Sequence, residues 1–165
     1  MIKFTVVTCT YNAESVLQRT LDSVNKQTYC NIEHLIIDGV SKDKTLAMVR
    51  AYQNRAKAGE NAHEIVVYSE PDKGLYDAMN KGIDHATGDY LVFLNAGDVF
   101  PSDDTLEAIC KYVMKGDPRK PAYFRWFSLA VQRGLRITRL YEYYMETMDI
   151  SYRRQLPKPR YGISL

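Results

Sequence analysis

The side chains able to do chemistry gather in four short polar segments, 8–12, 38–45, 69–73 and 95–98. They offer carboxylates at Asp38, Asp43, Asp72 and Asp98, hydroxyls at Thr8, Thr10 and Ser41, an aromatic ring at Tyr11 and an ammonium at Lys73. A ring stacks on a base, a carboxylate accepts imino or ribose protons, and hard oxygen suits Mg2+ or Mn2+. The set therefore suits a nucleotide whose base and ribose are held by side chains and whose diphosphate is neutralised by a divalent metal. Neither G-x-G-x-x-G nor G-x-x-x-x-G-K-[ST] occurs, so the dinucleotide fingerprint and the P-loop are both absent. Each residue also has a purely structural explanation: Tyr11 as a packing ring, Asp43 as a helix cap, Lys73 as a solvated charge, Asn95–Asp98 as a turn. Asp38 is sharper, because an acid directly after Leu35, Ile36 and Ile37 is placed to be buried and then needs a partner.

The apolar runs before these segments must position them. Tyr90 to Leu94 is too short for a helix and too apolar for an edge, and reads as a strand buried on both faces. Phe4 to Thr8, Glu33 to Ile37 and Glu64 to Tyr68 read as three more strands. Helices alternate with them. The first is capped by Asn12 and carries Val16, Leu17, Thr20, Leu21 and Val24 on one side. The second runs from Thr45 to about Lys57 with Leu46, Val49 and Tyr52 inward, and Ala58–Ala62 reads as a surface turn. The third, Leu75 to about His85, offers the narrow face Ala78, Met79, Gly82 and Ile83, and the fourth ends at Met114 with Ser102 as its cap. Strands joined through helices form a parallel sheet with right-handed crossovers. All strands then end on one edge, so the four polar segments line one crevice.

The 165 residues, 45% of them hydrophobic, suffice for one core. Cys9, Cys30 and Cys110 form no CxxC pair, which points to a reduced compartment and no structural zinc, with Cys9 as a core residue. The N-terminal stretch lacks the apolar core of a signal peptide, and no run is long enough to cross a bilayer, so the expected location is cytoplasmic. Charge is uneven: residues 1–115 carry 16 acidic and 12 basic side chains, residues 116–165 only 4 acidic and 10 basic. Beyond Lys115 the alternation fails, at the break Gly116–Pro121. The expected division is thus a domain over 1–115 and a divergent or truncated basic segment over 116–165. That basic, tyrosine-containing segment fits a solvated end or peripheral contact with an anionic membrane at its inner face. It shows no recognised nucleic-acid motif, so no nucleic-acid partner is expected.

Taken together, Thr8-Cys-Thr-Tyr-Asn12, Ser23-Val-Asn-Lys-Gln27, the segment from Ile36 to Thr45, the segment from Ser69 to Gly82 and that from Gly88 to Asp98 resemble the family 2 glycosyltransferases of the GT-A fold, in their colanic-acid-type branch. The resemblance covers about residues 2–114. It implies an α/β, Rossmann-like three-layer sandwich with a mostly parallel central sheet and helices on both faces. It also implies inverting transfer of a sugar from a nucleotide-sugar donor, expected to be UDP-linked, to a glycan or lipid-linked acceptor in cell-surface polysaccharide synthesis. By the same resemblance Tyr11 and Asp38 hold the base, Thr8 lines its pocket, Lys73 and Asn95 lie at the donor, and Asp98 takes Mg2+ or Mn2+. Two positions depart from the family pattern. Asp98 is the only carboxylate in Asn95-Ala-Gly-Asp98, and Gly39 stands where an Asp-Asp pair is frequent. The catalytic base is not assigned, because such enzymes carry it in a second half that residues 116–165 do not resemble. The alternatives are a non-catalytic nucleotide-sugar or anion-binding module, and a nucleotidyltransferase, which lacks here its glycine-rich basic N-terminal loop.

Overall fold

The structure, a computed structural model, describes residues 1–58 and 63–114. The turn expected over 58–62 falls largely outside the described residues, as do the readings of 116–165 and the division into two segments. The described chain alternates β1 (Phe4–Thr10), α1 (Leu17–Asn25), β2 (Ile32–Asp38), α2 (Thr45–Ala58), β3 (Glu64–Ser69), α3 (Leu75–His85), β4 (Tyr90–Phe93) and α4 (Thr105–Met114). The strands form one parallel sheet in the order β3-β2-β1-β4. Every residue of β1 and β2 is buried, as expected of central strands covered on both faces.

Handedness dictates where the helices lie. The chain steps from β1 through β2 to β3 in one direction, then crosses back to place β4 on the far side of β1. Right-handed crossovers put α1 and α2 on one face and α3 on the other. The core divides accordingly. Phe4 and Val6 pack with Val24, Leu106 and Cys110, and Ile36 packs with Leu17, Leu21, Val49 and Tyr52, on the face of α1, α2 and α4. Val7, Cys9, Leu35 and Ile37 pack with Ala78 on the face of α3. The result is an α/β three-layer sandwich of the GT-A, Rossmann-like kind. The small face of α3 brings it close to the sheet: a Cβ added at Gly82 would lie 2.5 Å from Cγ1 of Val7.

Two helix caps differ from expectation. Helix α1 starts at Leu17 with no side-chain cap, and Asn12 instead adopts φ 47 and accepts the Lys42 N–H through Oδ1 at 2.8 Å. Ser102 makes no bond to a helical N–H; its hydroxyl donates to Asp104. The start of α4 is held from across the fold by buried Gln27, whose Oε1 accepts the Leu106 N–H at 3.1 Å and whose Nε2 donates to the Ser102 carbonyl at 2.8 Å. The start of α4 is thus satisfied by a partner distant in sequence, whereas at the start of α1 the Val16 and Leu17 N–H groups go to the Ala13 carbonyl. Asp43 does cap α2, accepting the Thr45 N–H at 2.9 Å.

At the opposite edge of the sheet, buried Glu33 ties β2 to the segment before β4. Its carboxylate accepts the Thr5 hydroxyl at 2.5 Å, the Thr87 N–H at 3.0 Å and the Thr87 hydroxyl at 2.6 Å, with the Lys3 ammonium at 3.6 Å. Burial alone would raise its pKa, but these hydrogen bonds and the Lys3 charge carry it below the usual carboxylate value. A depressed folded-state pKa contributes stability that is present above the unfolded value, about 4.3, and lost as pH falls through the folded value. Glu33→Gln is therefore expected to be less stable than wild type at pH 7, with the gap closing below about pH 4 in urea titrations at a series of pH values.

Candidate functional site

The carboxyl edge of the sheet is built loop upon loop. The segment after β1 and the segment after β2 are stitched together by reciprocal bonds: Asn12 N–H to Ser41 Oγ at 2.9 Å, Ala13 N–H to Thr45 Oγ1 at 2.8 Å, and Lys44 N–H to Glu14 Oε2 at 2.9 Å. Asp38 anchors this assembly. It is fully buried, as the apolar run before it foretells, and its partners are close by. Oδ1 accepts the Ser41 hydroxyl at 2.5 Å, while Oδ2 accepts the Ser41 N–H at 3.0 Å and the Ser69 hydroxyl at 2.7 Å. A carboxylate has about four lone-pair positions. Three are filled by the chain itself, which leaves one on Oδ1 without a donor among the described residues.

The clamp holds a strained residue. Val40 lies at φ 63, a left-handed conformation that a β-branched side chain rarely adopts, and it is 42% exposed. Since little packing compensates, Val40→Gly is expected to leave stability unchanged or raise it by up to about 1 kcal/mol, read as a higher urea midpoint at constant slope.

Tyr11 stands 62% exposed at the end of β1. Beside it, a Cβ at Gly39 would lie 3.3 Å from the Tyr11 ring and 2.5 Å from Oδ2 of Asp72. Gly39, Tyr11 and Asp72 thus meet at one point, with Asp72 Oδ1 fixed by the Gly74 N–H at 2.8 Å. Burial, with the Asp72 charge adding, pushes the Cys9 thiol up to about 12, which excludes a nucleophilic role at neutral pH. Lys73 is exposed at the start of α3, its N–H bonded to Asp77 Oδ2 at 3.1 Å.

Across the switch point, Asn95–Asp98 closes as a turn, with the Asp98 N–H on the Asn95 carbonyl at 2.9 Å and Gly97 at φ 101. Thr20 Oγ1 accepts the Gly97 N–H at 2.8 Å, and Arg19 of α1 reaches within 3.2 Å of where a Gly97 Cβ would stand. Asp98 is exposed. Two buried side-chain atoms at this edge have no hydrogen-bond partner among the described residues, Thr10 Oγ1 and Asn95 Oδ1. Such orphans call for a ligand or solvent partner.

The structure thus brings Tyr11, Asp38, Lys73, Asn95 and Asp98 to one edge. Thr8 is placed otherwise: fully buried, its hydroxyl donates to the Leu94 carbonyl at 2.8 Å and meets His34 Nε2 at 2.9 Å. Strand alternation turns its side chain to the face of α1 and α2. Asp72 belongs to the carboxylates read from the sequence without a role of its own, and Arg19 does not figure among them. Asp72 carried a signal, its position in a strand-end loop; Arg19 carried none, since its approach to Gly97 is a product of packing.

For a divalent metal, no group of three or more His, Cys, Asp or Glu side chains comes together among the described residues. Asp98 and the orphaned Asn95 oxygen are nonetheless hard donors on a single turn. That donor set fits a cation whose remaining ligands are substrate phosphates and water, the usual habit of Mg2+.

A parallel sheet with polar and aromatic side chains at its topological switch point is the arrangement in which open α/β folds hold their ligands. Residues 5–155 match glycosyl transferase family 2, and the chain belongs to that family. The match extends past the motif-bearing 2–114. Among curated proteins it is 33% identical over 132 residues to a PGL/p-HBAD biosynthesis glycosyltransferase of Mycobacterium bovis, covering 74% of this chain and 50% of that one. The chain thus spans about half the length of this relative. Among solved structures it is similar to the mannosyltransferase PcManGT from Pyrobaculum calidifontis in complex with GDP-Man and Mn2+, at TM-score 0.60 and 28% identity, covering 71% of this chain and 33% of that one. S. aureus TarS 1-349, in complex with UDP-GlcNAc, shares the fold at TM-score 0.61 and 24% identity, over 69% of this chain and 32% of that one. The fold is therefore related to that of nucleotide-sugar-using enzymes. These likenesses carry the family and do not single out its colanic-acid branch.

Proposed function

We propose that the chain binds a nucleotide sugar, UDP-linked, in the crevice at the carboxyl edge of its sheet, and that the protein transfers the sugar with inversion to a glycan or lipid-linked acceptor. What supports this reading is that Tyr11, Asp38, Asp72, Lys73, Asn95 and Asp98 all follow or end strands of one parallel sheet, at its carboxyl edge, where Thr10 Oγ1 and Asn95 Oδ1 are buried without a partner among the described residues. Tyr11 offers its exposed ring to the base. Asp38 takes a base N–H in its remaining lone-pair position, once the Gly39–Ser41 segment that covers it yields. Lys73 faces the phosphates, and Asp98 with Asn95 holds Mg2+ or Mn2+. The metal, when bound, neutralises the charge that develops on the departing diphosphate. No described residue is assigned as the base that deprotonates the acceptor.

Service in cell-surface polysaccharide synthesis, of the colanic-acid type, completes the proposal. The expected place is the cytoplasm, with the basic stretch 116–165 meeting anionic lipid at the inner membrane face. No helix among the described residues is long and apolar enough to cross a membrane.

Calorimetry of the purified chain against a panel of UDP- and GDP-sugars with Mn2+ tests the reading. Saturable binding is expected, lost on chelation and weakened by Asp98→Ala by at least the roughly 10- to 100-fold that loss of a metal-site partner costs. Absence of binding to every donor with Mn2+ present overturns it.

A further inference from the structure

A buried chain of polar side chains lies outside the crevice. His34, Tyr52 and Thr8 are fully buried between the sheet and α2, yet all three carry polar atoms. They form an unbroken chain with His63, the residue just before β3. His63 Nε2 meets Tyr52 Oη at 2.6 Å, Tyr52 Oη meets His34 Nδ1 at 2.9 Å, His34 Nε2 meets Thr8 Oγ1 at 2.9 Å, and Thr8 Oγ1 meets the Leu94 carbonyl at 2.8 Å.

The last link fixes the direction of all the others. A carbonyl only accepts, so the single Thr8 proton goes to Leu94. Toward His34 the Thr8 oxygen can then only accept, which puts a proton on His34 Nε2. Burial, with the nearby His63 adding, lowers the His34 pKa to about 3, so the ring is neutral and Nδ1 is an acceptor. Tyr52 must donate to Nδ1, and its own oxygen must accept from His63 Nε2–H. Burial holds the Tyr52 hydroxyl protonated by raising its pKa. Every proton in the series points toward Leu94. One protonation pattern satisfies all the partners, and it ends on the residue immediately before Asn95.

We propose that His63, Tyr52, His34 and Thr8 are positioning residues, a one-way hydrogen-bond relay that sets the place of the Asn95–Asp98 turn through the Leu94 carbonyl. The backbone on both sides of that carbonyl is tied to β1, by Leu94 N–H to the Val7 carbonyl at 2.9 Å and Ala96 N–H to the Cys9 carbonyl at 3.2 Å. The relay adds a third tie, from α2 and the start of β3. Motion at the amino edge of β3 is thereby coupled to the turn at the carboxyl edge of β4. The effect on ligand binding rests on the donor-site reading above; the effect on the turn does not.

The experiment is made on the full chain in two arms. Nitrogen-15 NMR of the histidine rings at neutral pH is expected to show His34 neutral with its proton on Nε2, to keep that tautomer in Tyr52→Phe, and to lose it in Thr8→Val, which removes the acceptor that fixes it. In Tyr52→Phe and Thr8→Val the amide signals of Ala96, Gly97 and Asp98 are expected to shift, while in Thr8→Ser, which keeps the hydroxyl, they return toward wild type. The second arm measures UDP binding with Mn2+, expected to weaken about 3- to 10-fold in Thr8→Val and to recover in Thr8→Ser. A proton on His34 Nδ1 in wild type overturns the relay without any variant. Turn amides unmoved in Tyr52→Phe, or shifts spread evenly over the core, overturn it as well. If wild type binds no donor while the turn amides respond as stated, the donor reading fails and the relay stands. Tyr52→Phe lies on α2, away from the turn, and serves if Thr8→Val does not fold.

Discussion

Asp38→Ala is expected to cost about 2–4 kcal/mol of stability, while Asp38→Asn costs less than about 1.5 kcal/mol, yet both are expected to lose donor binding. Alanine removes three hydrogen bonds at once and opens a cavity under the 38–41 segment. It also frees Val40 from the clamp that keeps it at φ 63, so part of the loss is returned as relieved strain and the segment rearranges. Asparagine keeps the shape. Its carbonyl oxygen in the Oδ2 position still accepts from the Ser41 N–H and the Ser69 hydroxyl, and its amide donates to the Ser41 hydroxyl, which reverses its role. What asparagine cannot do is offer an acceptor at the Oδ1 position to a base N–H. Urea denaturation and calorimetry on both variants therefore separate anchoring from recognition. Equal donor affinity in Asp38→Asn and wild type would show that Asp38 serves the loop alone.

Gly82→Val is expected to destabilise by about 2–3 kcal/mol and to lower the thermal midpoint by roughly 5–10 °C. Helix propensity argues the other way, since valine is a better helix former than glycine. Packing decides the sign: even the first added carbon stands 2.5 Å from Cγ1 of Val7, a fully buried side chain in a central strand. Helix α3 must lift from the sheet to accept it. Gly82→Ala is expected to suffer less, and pairing it with Val7→Ala is expected to recover part of the loss, a coupling that a double-mutant cycle reads directly. Independent, additive effects at the two positions would falsify the contact as the cause.

The layers of this fold were legible in sequence because its strands are short apolar runs that stop at Asn, Asp or Ser, and because Ala78 and Gly82 leave a face too narrow for anything but close packing. The edge on which Tyr11, Asp38 and Asp98 meet was legible for the same reason: parallel strands end on one side. Local signals failed where partners come from afar. Asn12 looks like a helix cap but bonds to Lys42, and α4 is capped by Gln27. The relay through Tyr52 and His63 leaves no trace in sequence, since a buried histidine in an apolar run reads as an ordinary strand residue until its neighbours in space are known.

The close meeting of Gly39 and Asp72 has a consequence for how this crevice carries charge. A Cβ at position 39 would stand 2.5 Å from Oδ2 of Asp72 and 3.3 Å from the Tyr11 ring, so a side chain there presses on the space that the Asp72 carboxylate occupies. An acidic side chain at position 39 and one at position 72 are therefore competitors for the same seat. Gly39→Asp alone is therefore expected to displace the Asp72 side chain, whereas Gly39→Asp combined with Asp72→Gly is expected to be better tolerated.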